Sequence, residues 1–487
     1  MSQDNAESAA DGPGRSQAQQ REEPGHVGVW RLIGSRRAHL PAAALLLSGV
    51  LVAGCTASPG RPAKHAPGSS APSAAVSGCL LHPGSCYAPH LFRVAYGIQP
   101  LLDKGIDGRG ETVTVLAPPP LPDALAAPSP NVPAASSSAA AAAPPPGARP
   151  ATSDIRKDLQ AFDRLFRLPA ARIQVVTTLA GSAPPWRASG EEVQDLEVVH
   201  TVAPAATLRV VQLPANALAS AANATADMLA GLRLAVSGTD VASIGWSLGE
   251  HFFTRAQAAQ MHSTLRGAVA HHVTVAASSG DNGSISDSYG GPPVKEVSLP
   301  ASDPLALAAG GTTLTADPLT GSYIRETAWN GGTGSFSVTV GASGGGFSRL
   351  YRRPGYQDGV PGTATGRGVP DVAGDANEQG GIPIILAGLS QSGISSASGT
   401  SASTALWAGL MALADQDAHH GLGFVDPAIY RIARGARYHQ AFHDVTSGNN
   451  LTLGPVSDKY HAGPGWDPVT GWGSPNAQVL IPLLARS

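Results

Sequence analysis

The chain has 487 residues, 42% hydrophobic and 14% charged, enough apolar material to bury one large core. Its 58 glycines and 41 prolines predict that loops and extensions surround that core. A formal net charge of -3, with no basic run beyond short arginine pairs, leaves no electrostatic footprint for nucleic acid and excludes that partner class.

The first segment reads as an export signal. A long polar stretch leads to Arg36-Arg37, and an apolar run of about 14 residues follows, positions 40–53. That run is too short to span a membrane comfortably. Val52-Ala53-Gly54-Cys55 is similar to a bacterial lipobox, so residues 1–54 are expected to be removed and the Cys55 thiol to carry lipid. An ordinary signal peptide or an uncleaved anchor is the alternative. The lipid would hold the protein on the extracytoplasmic side of a membrane. Residues 55–78 are mostly Pro, Ser, Ala and Gly, too polar and small to bury a core, and are expected to be a disordered tether. Cys79 and Cys86 bracket a short loop, and outside the cytoplasm such a pair can persist as a disulfide.

Residues 79–487 read as one domain with a low-complexity insertion at 118–150, where runs of alanine and proline interrupt well-patterned sequence. β-rich runs at 111–116, 172–178, 207–213, 241–246 and 273–278 alternate with helical patterns at 153–166, 190–202, 217–236 and 254–271. Apolar strands separated by helices predict an α/β fold with a mostly parallel sheet covered on both faces. Ligand chemistry then belongs at the carboxyl ends of the strands.

Three motifs carry chemistry. Ser398-Gly399-Thr400-Ser401 precedes an Ala-rich helical run, which places a serine hydroxyl near the positive end of a helix dipole. Serine is also a preferred helix cap, so the motif alone does not distinguish a nucleophile from a cap. In Gly190-Glu191-Glu192-Val193-Gln194-Asp195, Glu191 and Asp195 are four apart, so their carboxyls share one helix face, roughly 5–6 Å between Cβ atoms. If buried they share a proton; if not, they form a solvated acidic first turn. Ser279-Gly280-Asp281-Asn282-Gly283 follows the 273–278 strand and reads as an acid at the site or as ordinary turn chemistry. No histidine-based triad stands out among the 15 histidines.

Taken together and in this order, Gly-Glu-x-x-x-Asp, Ser-Gly-Asp-x-Gly and Ser-Gly-Thr-Ser resemble the sedolisins, serine-carboxyl peptidases on a subtilisin-like fold. Leu299-Pro300-Ala301-Ser302, Ser343-Gly344-Gly345-Gly346-Phe347-Ser348 and Gly368-Val369-Pro370-Asp371-Val372 are similar to internal blocks of that family, and the likeness runs from about residue 87 to 475. The resemblance implies Ser401 as nucleophile, Glu191 as general base, Asp195 as its partner and Asp281 as a protonated donor to the oxyanion, working on protein or peptide substrates at acidic pH. Trp246 matches a family tryptophan near the acid pair, with core packing as its alternative role. The resemblance also implies a calcium loop near the C-terminus, with carboxylates from Asp444 and Asp467 and carbonyls from Val445, Gly463 and Gly465, a hard oxygen set suited to calcium. His439 and His443, four apart, imitate a zinc pair but lack a third ligand.

The chain departs from the family at Ala405, where a proline is usual, and at Ala117, where related enzymes often extend the acid network with a glutamate. Sedolisins usually carry a large N-terminal pro-domain, whereas residues 56–86 here are short and mostly tether. The expected protein is therefore a monomeric, lipid-anchored endopeptidase or tripeptidyl-peptidase. The rivals are a surface lipoprotein that uses the fold for binding and a subtilisin-type enzyme relying on His200.

Overall fold

The computed structural model describes residues 86–117, 153–176, 187–214, 217–285, 294–331, 341–363, 366–386, 394–451 and 459–487. The β-branched runs form strands β1 (Thr112–Leu116), β2 (Arg172–Val176), β3 (Thr207–Val211), β4 (Val241–Ile244) and β5 (Thr274–Ser278). They pair in parallel in the order β2-β3-β1-β4-β5. The sheet continues through β6 (Leu307–Ala316), which pairs in parallel with β5 and with β8 (Val372–Asp375), and antiparallel with β7 (Tyr323–Ala328). This is the mostly parallel subtilisin-like sheet expected.

The register divides the side chains between two cores. Val113, Val115, Leu208, Val210, Val241 and Ala276 point to one face, where they meet helices α1 (Ile155–Phe166), α2 (Gly190–Val202) and α5 (Gly399–Ala418). Leu116, Val211, Ala242, Ile244, Val275 and Ala277 point to the other, against α3 (Ala221–Ala235) and α4 (Arg255–Ala270). The strands are thus buried on both sides, as the period-two pleat requires of a sheet with helices on each face.

Helix α2 begins at a capping box, in which Ser189 Oγ accepts from Glu192 N at 3.1 Å and Glu192 Oε2 accepts from Ser189 N at 2.6 Å. Helix α5 is rich in small residues and buried through Asp415. At Gly409 a Cβ would lie 2.7 Å from Val202 Cβ, so the glycine is what lets α5 and α2 pack this closely.

Some boundaries differ from the sequence expectation. The helix anticipated over 217–236 starts later: Ala217–Ala219 form a 3-10 turn, and Ser220 caps α3 by accepting from Asn223 N at 3.2 Å. Strands β6, β7 and β8 are additions. A buried ion pair helps hold β6 beside β8: Arg367 Nη2 lies 2.6 Å from Asp371 Oδ2, which also accepts from Ala308 N at 2.8 Å. No described helix is long and apolar enough to cross a membrane.

Candidate active site

Helix α2, the loop after β5 and the start of α5 converge at the carboxyl ends of the central strands. Ser401 Oγ donates to Glu191 Oε2 at 3.3 Å and accepts from Gln194 Nε2 at 3.1 Å. Ser401 is therefore not spent on capping, and Ser398, at the N-cap position of α5, makes no side-chain cap bond. Asp195 lies one helical turn beyond Glu191 and is fully buried. Gly245, just past β4, brings the sheet against this group: a Cβ there would lie 2.3 Å from Asp195 Oδ2 and 3.2 Å from Ser401 Cβ.

Asp281 approaches from the other side through Gly280, whose φ of +105° turns the chain out of β5. Its Oδ1 accepts from Thr400 N and from Thr400 Oγ1, both at 2.8 Å. Thr400 Oγ1 accepts in turn from Gly280 N at 3.1 Å and lies 2.6 Å from Ser278 Oγ. Oδ1 is thereby occupied, which leaves Oδ2 as the oxygen to carry a proton. That oxygen and Ser401 Oγ flank the same point above Gly399, where a Cβ would lie 2.9 Å from one and 3.3 Å from the other.

The three carboxyls are pushed toward their neutral forms. Burial, then the charge of Asp281, raises Glu191 from 4.5 to about 7, against the opposing hydrogen bond from Ser401. Burial and the Glu191 charge hold Asp195 well above the usual carboxylate range, and the nearby Gln194 amide does not offset them. Among the described residues neither oxygen of Asp195 has a hydrogen-bond partner within bonding geometry, and burial without one favours the protonated form. Burial likewise raises Asp281, against the hydrogen bonds from Thr400. Glu191 and Asp281 still expose much of their surface to the cleft. Water therefore screens them in the open cleft.

The comparisons with known proteins bear on the whole arrangement. A family model described as the subtilase family matches residues 174–473. Kumamolisin from Bacillus sp. (strain MN-32) is 35% identical over 61% of this chain and 51% of its own length, and sedolisin from Pseudomonas sp. (strain 101) is 38% identical over 42% of this chain and 34% of its own. The solved structure of Pseudomonas sedolisin, a serine-carboxyl proteinase complexed with two molecules of pseudo-iodotyrostatin, superposes with a TM-score of 0.62 at 25% identity, covering 82% of this chain and 98% of that one. The chain belongs to the sedolisin family of subtilases. It spans about half the length of kumamolisin and about a third of that of the curated sedolisin.

Against the sedolisin expectation, the described residues place each candidate as follows. Trp246 is buried at the end of β4, in the core beside α3 and α4. Ala117 closes β1 as a buried apolar residue, and Ala405 sits buried inside α5. In the expected metal loop, Gly465 N donates to both oxygens of Asp444 at 3.1 Å, and Gly463 N donates to Asp467 Oδ2 at 3.1 Å. Asp467 Oδ1 accepts from Val469 N and Thr470 N at 2.8 and 2.9 Å. Thr470 Oγ1 bridges Asp467 Oδ2, at 2.9 Å, and the Val445 carbonyl, at 3.4 Å. Burial raises Asp467 from 3.8 to about 6, with the loop amides opposing. Two carboxylates and a carbonyl, one carboxylate buried, fit a hard cation in their donor chemistry. No group of three or more His, Cys, Asp or Glu suited to a metal occurs among the described residues.

The histidine alternatives are accounted for otherwise. His200 is buried, with Nε2 2.9 Å from Asp163 Oδ1 and 3.0 Å from the Pro169 carbonyl, so it ties α2 to the end of α1. His443 stacks on Tyr323 with ring centroids 3.6 Å apart, and His439 packs on Tyr438. Cys55, Cys79, the tether and the insertion at 118–150 lie outside the described residues. Two participants escaped the motif reading. Gln194 sits three residues after Glu191 and so on the same helix face, and Thr400 lies inside the serine motif itself.

Proposed function

We propose that this sedolisin hydrolyses peptide bonds in proteins or peptides, as a serine-carboxyl endopeptidase or tripeptidyl-peptidase. The observation that carries it is Ser401 Oγ donating to Glu191 while Asp281 Oδ2 stands open beside it. Ser401 Oγ attacks the scissile carbonyl carbon and its proton passes to Glu191 Oε2. The C=O pair moves onto oxygen, and the oxyanion accepts a hydrogen bond from the Asp281 Oδ2 hydroxyl. Collapse re-forms the carbonyl and breaks C–N, with the Glu191 proton going to the leaving amine. Water then attacks the ester, again deprotonated by Glu191, and Ser401 leaves with that proton. Asp195, neutral and beside Glu191, supports the changing charge by sharing its proton.

Calcium would be held by Asp444, Asp467 and Val445, with Gly463 and Gly465 completing the loop; it would supply positive charge to a buried carboxylate and so rigidity. Cys86 is buried and disulfide-bonded, which supports a Cys79–Cys86 bridge and an oxidising compartment. Lipidation at Cys55 rests on the lipobox likeness, and Cys55→Ser should release the protein from the membrane fraction if it holds. The working unit of this proposal is the monomer.

The test is incubation of the full chain with a denatured protein across acidic pH, with products read by mass spectrometry. Cleavage by wild type and none by Ser401→Ala is the expected result. A folded wild type that cuts nothing, under conditions where a related sedolisin cuts, would transfer the fold to a binding role.

A further inference from the structure

On the peptidase reading above, we propose that Gln194 is a positioning residue, whose carboxamide holds the Ser401 hydroxyl oriented with its proton toward Glu191. Gln194 is buried, and its carboxamide makes three hydrogen bonds to the nucleophile segment. Its Oε1 accepts from Ser398 N at 3.0 Å, while Nε2 donates to the Ser398 carbonyl at 2.9 Å and to Ser401 Oγ at 3.1 Å. The assignment of the amide is forced by this network. A flipped amide would set NH2 against the Ser398 N–H and an oxygen against the Ser398 carbonyl.

A serine hydroxyl has one proton and a free rotor. Accepting from Gln194 occupies one lone pair and turns the O–H to its remaining partner, Glu191 Oε2 at 3.3 Å. As that proton leaves, negative charge grows on Oγ, so the N–H donation is stronger in the transition state than in the resting enzyme. Once Oγ is part of an ester it is a poorer acceptor, and the bond regains strength when Ser401 is expelled during deacylation. Both chemical steps therefore gain, while substrate binding does not. The clamp on Ser398 has a second effect. It fixes the first residues of α5 to α2, so base and nucleophile are positioned from one helix face carrying Glu191, Gln194 and Asp195.

Gln194→Leu and Gln194→Glu, assayed on a fluorogenic peptide built around a cleavage site found by mass spectrometry, test this. Gln194→Leu should lower kcat roughly tenfold to a hundredfold with KM within about twofold. Gln194→Glu keeps the acceptor for Ser398 N–H and can donate only while protonated. It should approach wild-type rate at the acid end and lose activity at a lower pH than wild type does. An unchanged kcat in folded Gln194→Leu, or a loss confined to KM, would overturn the proposal. If Gln194→Leu does not fold, a Gln194→Glu profile parallel to wild type at every pH overturns it instead. A wild type that cleaves peptides in a Ser401-dependent way, with neither variant altered, sinks this role alone; a wild type that cleaves nothing sinks the peptidase reading with it.

Discussion

At the scale of single residues, the site is a cluster of three carboxyls whose protons belong to the set rather than to one member. On the proposed mechanism the reactive state holds protons on Asp195 and Asp281 and none on Glu191. Burial raises all three, which is what allows a carboxylic acid to donate and a carboxylate to accept in one cleft. Activity should therefore fall as pH rises and the cluster drops from two protons to one, and fall again at the acid end as Glu191 becomes protonated. Because Glu191 and Asp281 are open to the cleft until a peptide covers them, both limbs should lie at higher pH in kcat, which reports the complex, than in kcat/KM, which reports the free enzyme. A plateau reaching into alkaline pH would argue against Asp281 as the donor. Ser401→Ala and Glu191→Ala should each remove most of the rate, and the double variant little more, because the two act on one proton. Asp281→Ala should lose most of the rate at every pH.

At the scale of elements, legibility followed how much of each signal is local. Residues 112–116 and 241–244 are short β-branched or apolar runs bounded by turns, and they announce strands without help. β6 does not, because Gly310 and Gly311 interrupt it; their role appears only with neighbours in place, a Cβ at Gly310 lying 2.6 Å from Pro370 Cγ and one at Gly311 lying 2.7 Å from Ala376 Cβ. The same holds at the site. Ser401, Glu191, Asp195 and Asp281 stand in motifs, whereas Gln194 gains its place from Ser398 and Ser401, more than 200 positions away in the chain. The proposed metal loop is intermediate: its two aspartates are legible, but the binding of the Gly463 and Gly465 amides to those carboxylates is not. Its prediction belongs at this scale. A cation that binds the folded loop and not the unfolded chain stabilises by about 2.7 kcal/mol at a hundredfold excess over Kd. Chelation should lower the Tm of wild type, and calcium should restore it. Asp467→Ala should start from a lower Tm and respond to neither. A wild-type Tm that chelator leaves unmoved removes calcium from the account.

Across the whole molecule, buried carboxyls recur well away from the cleft. Glu197 is fully buried and held far above its ordinary range by burial, despite an amide bond from Ile385 N at 2.9 Å. Burial also raises Glu326, although Tyr96, Thr312 and Ser474 all donate to it. Asp375, which accepts from Leu314 N, is raised further by burial and by Glu326. In α5, Asp415 accepts from Leu422 N through Oδ1, its Oδ2 has no partner among the described residues, and burial lifts it from 3.8 to about 8. Each of these groups holds a proton in the folded chain at a pH where the unfolded chain has released it. For Asp415 that window runs from the ordinary value of 3.8 up to about 8, and within it the folded state binds more protons. Stability must then fall as pH rises through the window, by about 1.4 kcal/mol per pH unit for each such proton at full difference. Tm should accordingly climb as pH is lowered from 8 toward 5, the reverse of a protein held by ionised carboxylates. Asp415→Asn removes one titrating group while keeping an acceptor for Leu422 N, and should flatten the slope without abolishing it. A Tm that instead rises between pH 5 and 8, or a slope that Asp415→Asn leaves untouched, would mean these acids are ionised in the folded protein and neutralised by partners other than protons.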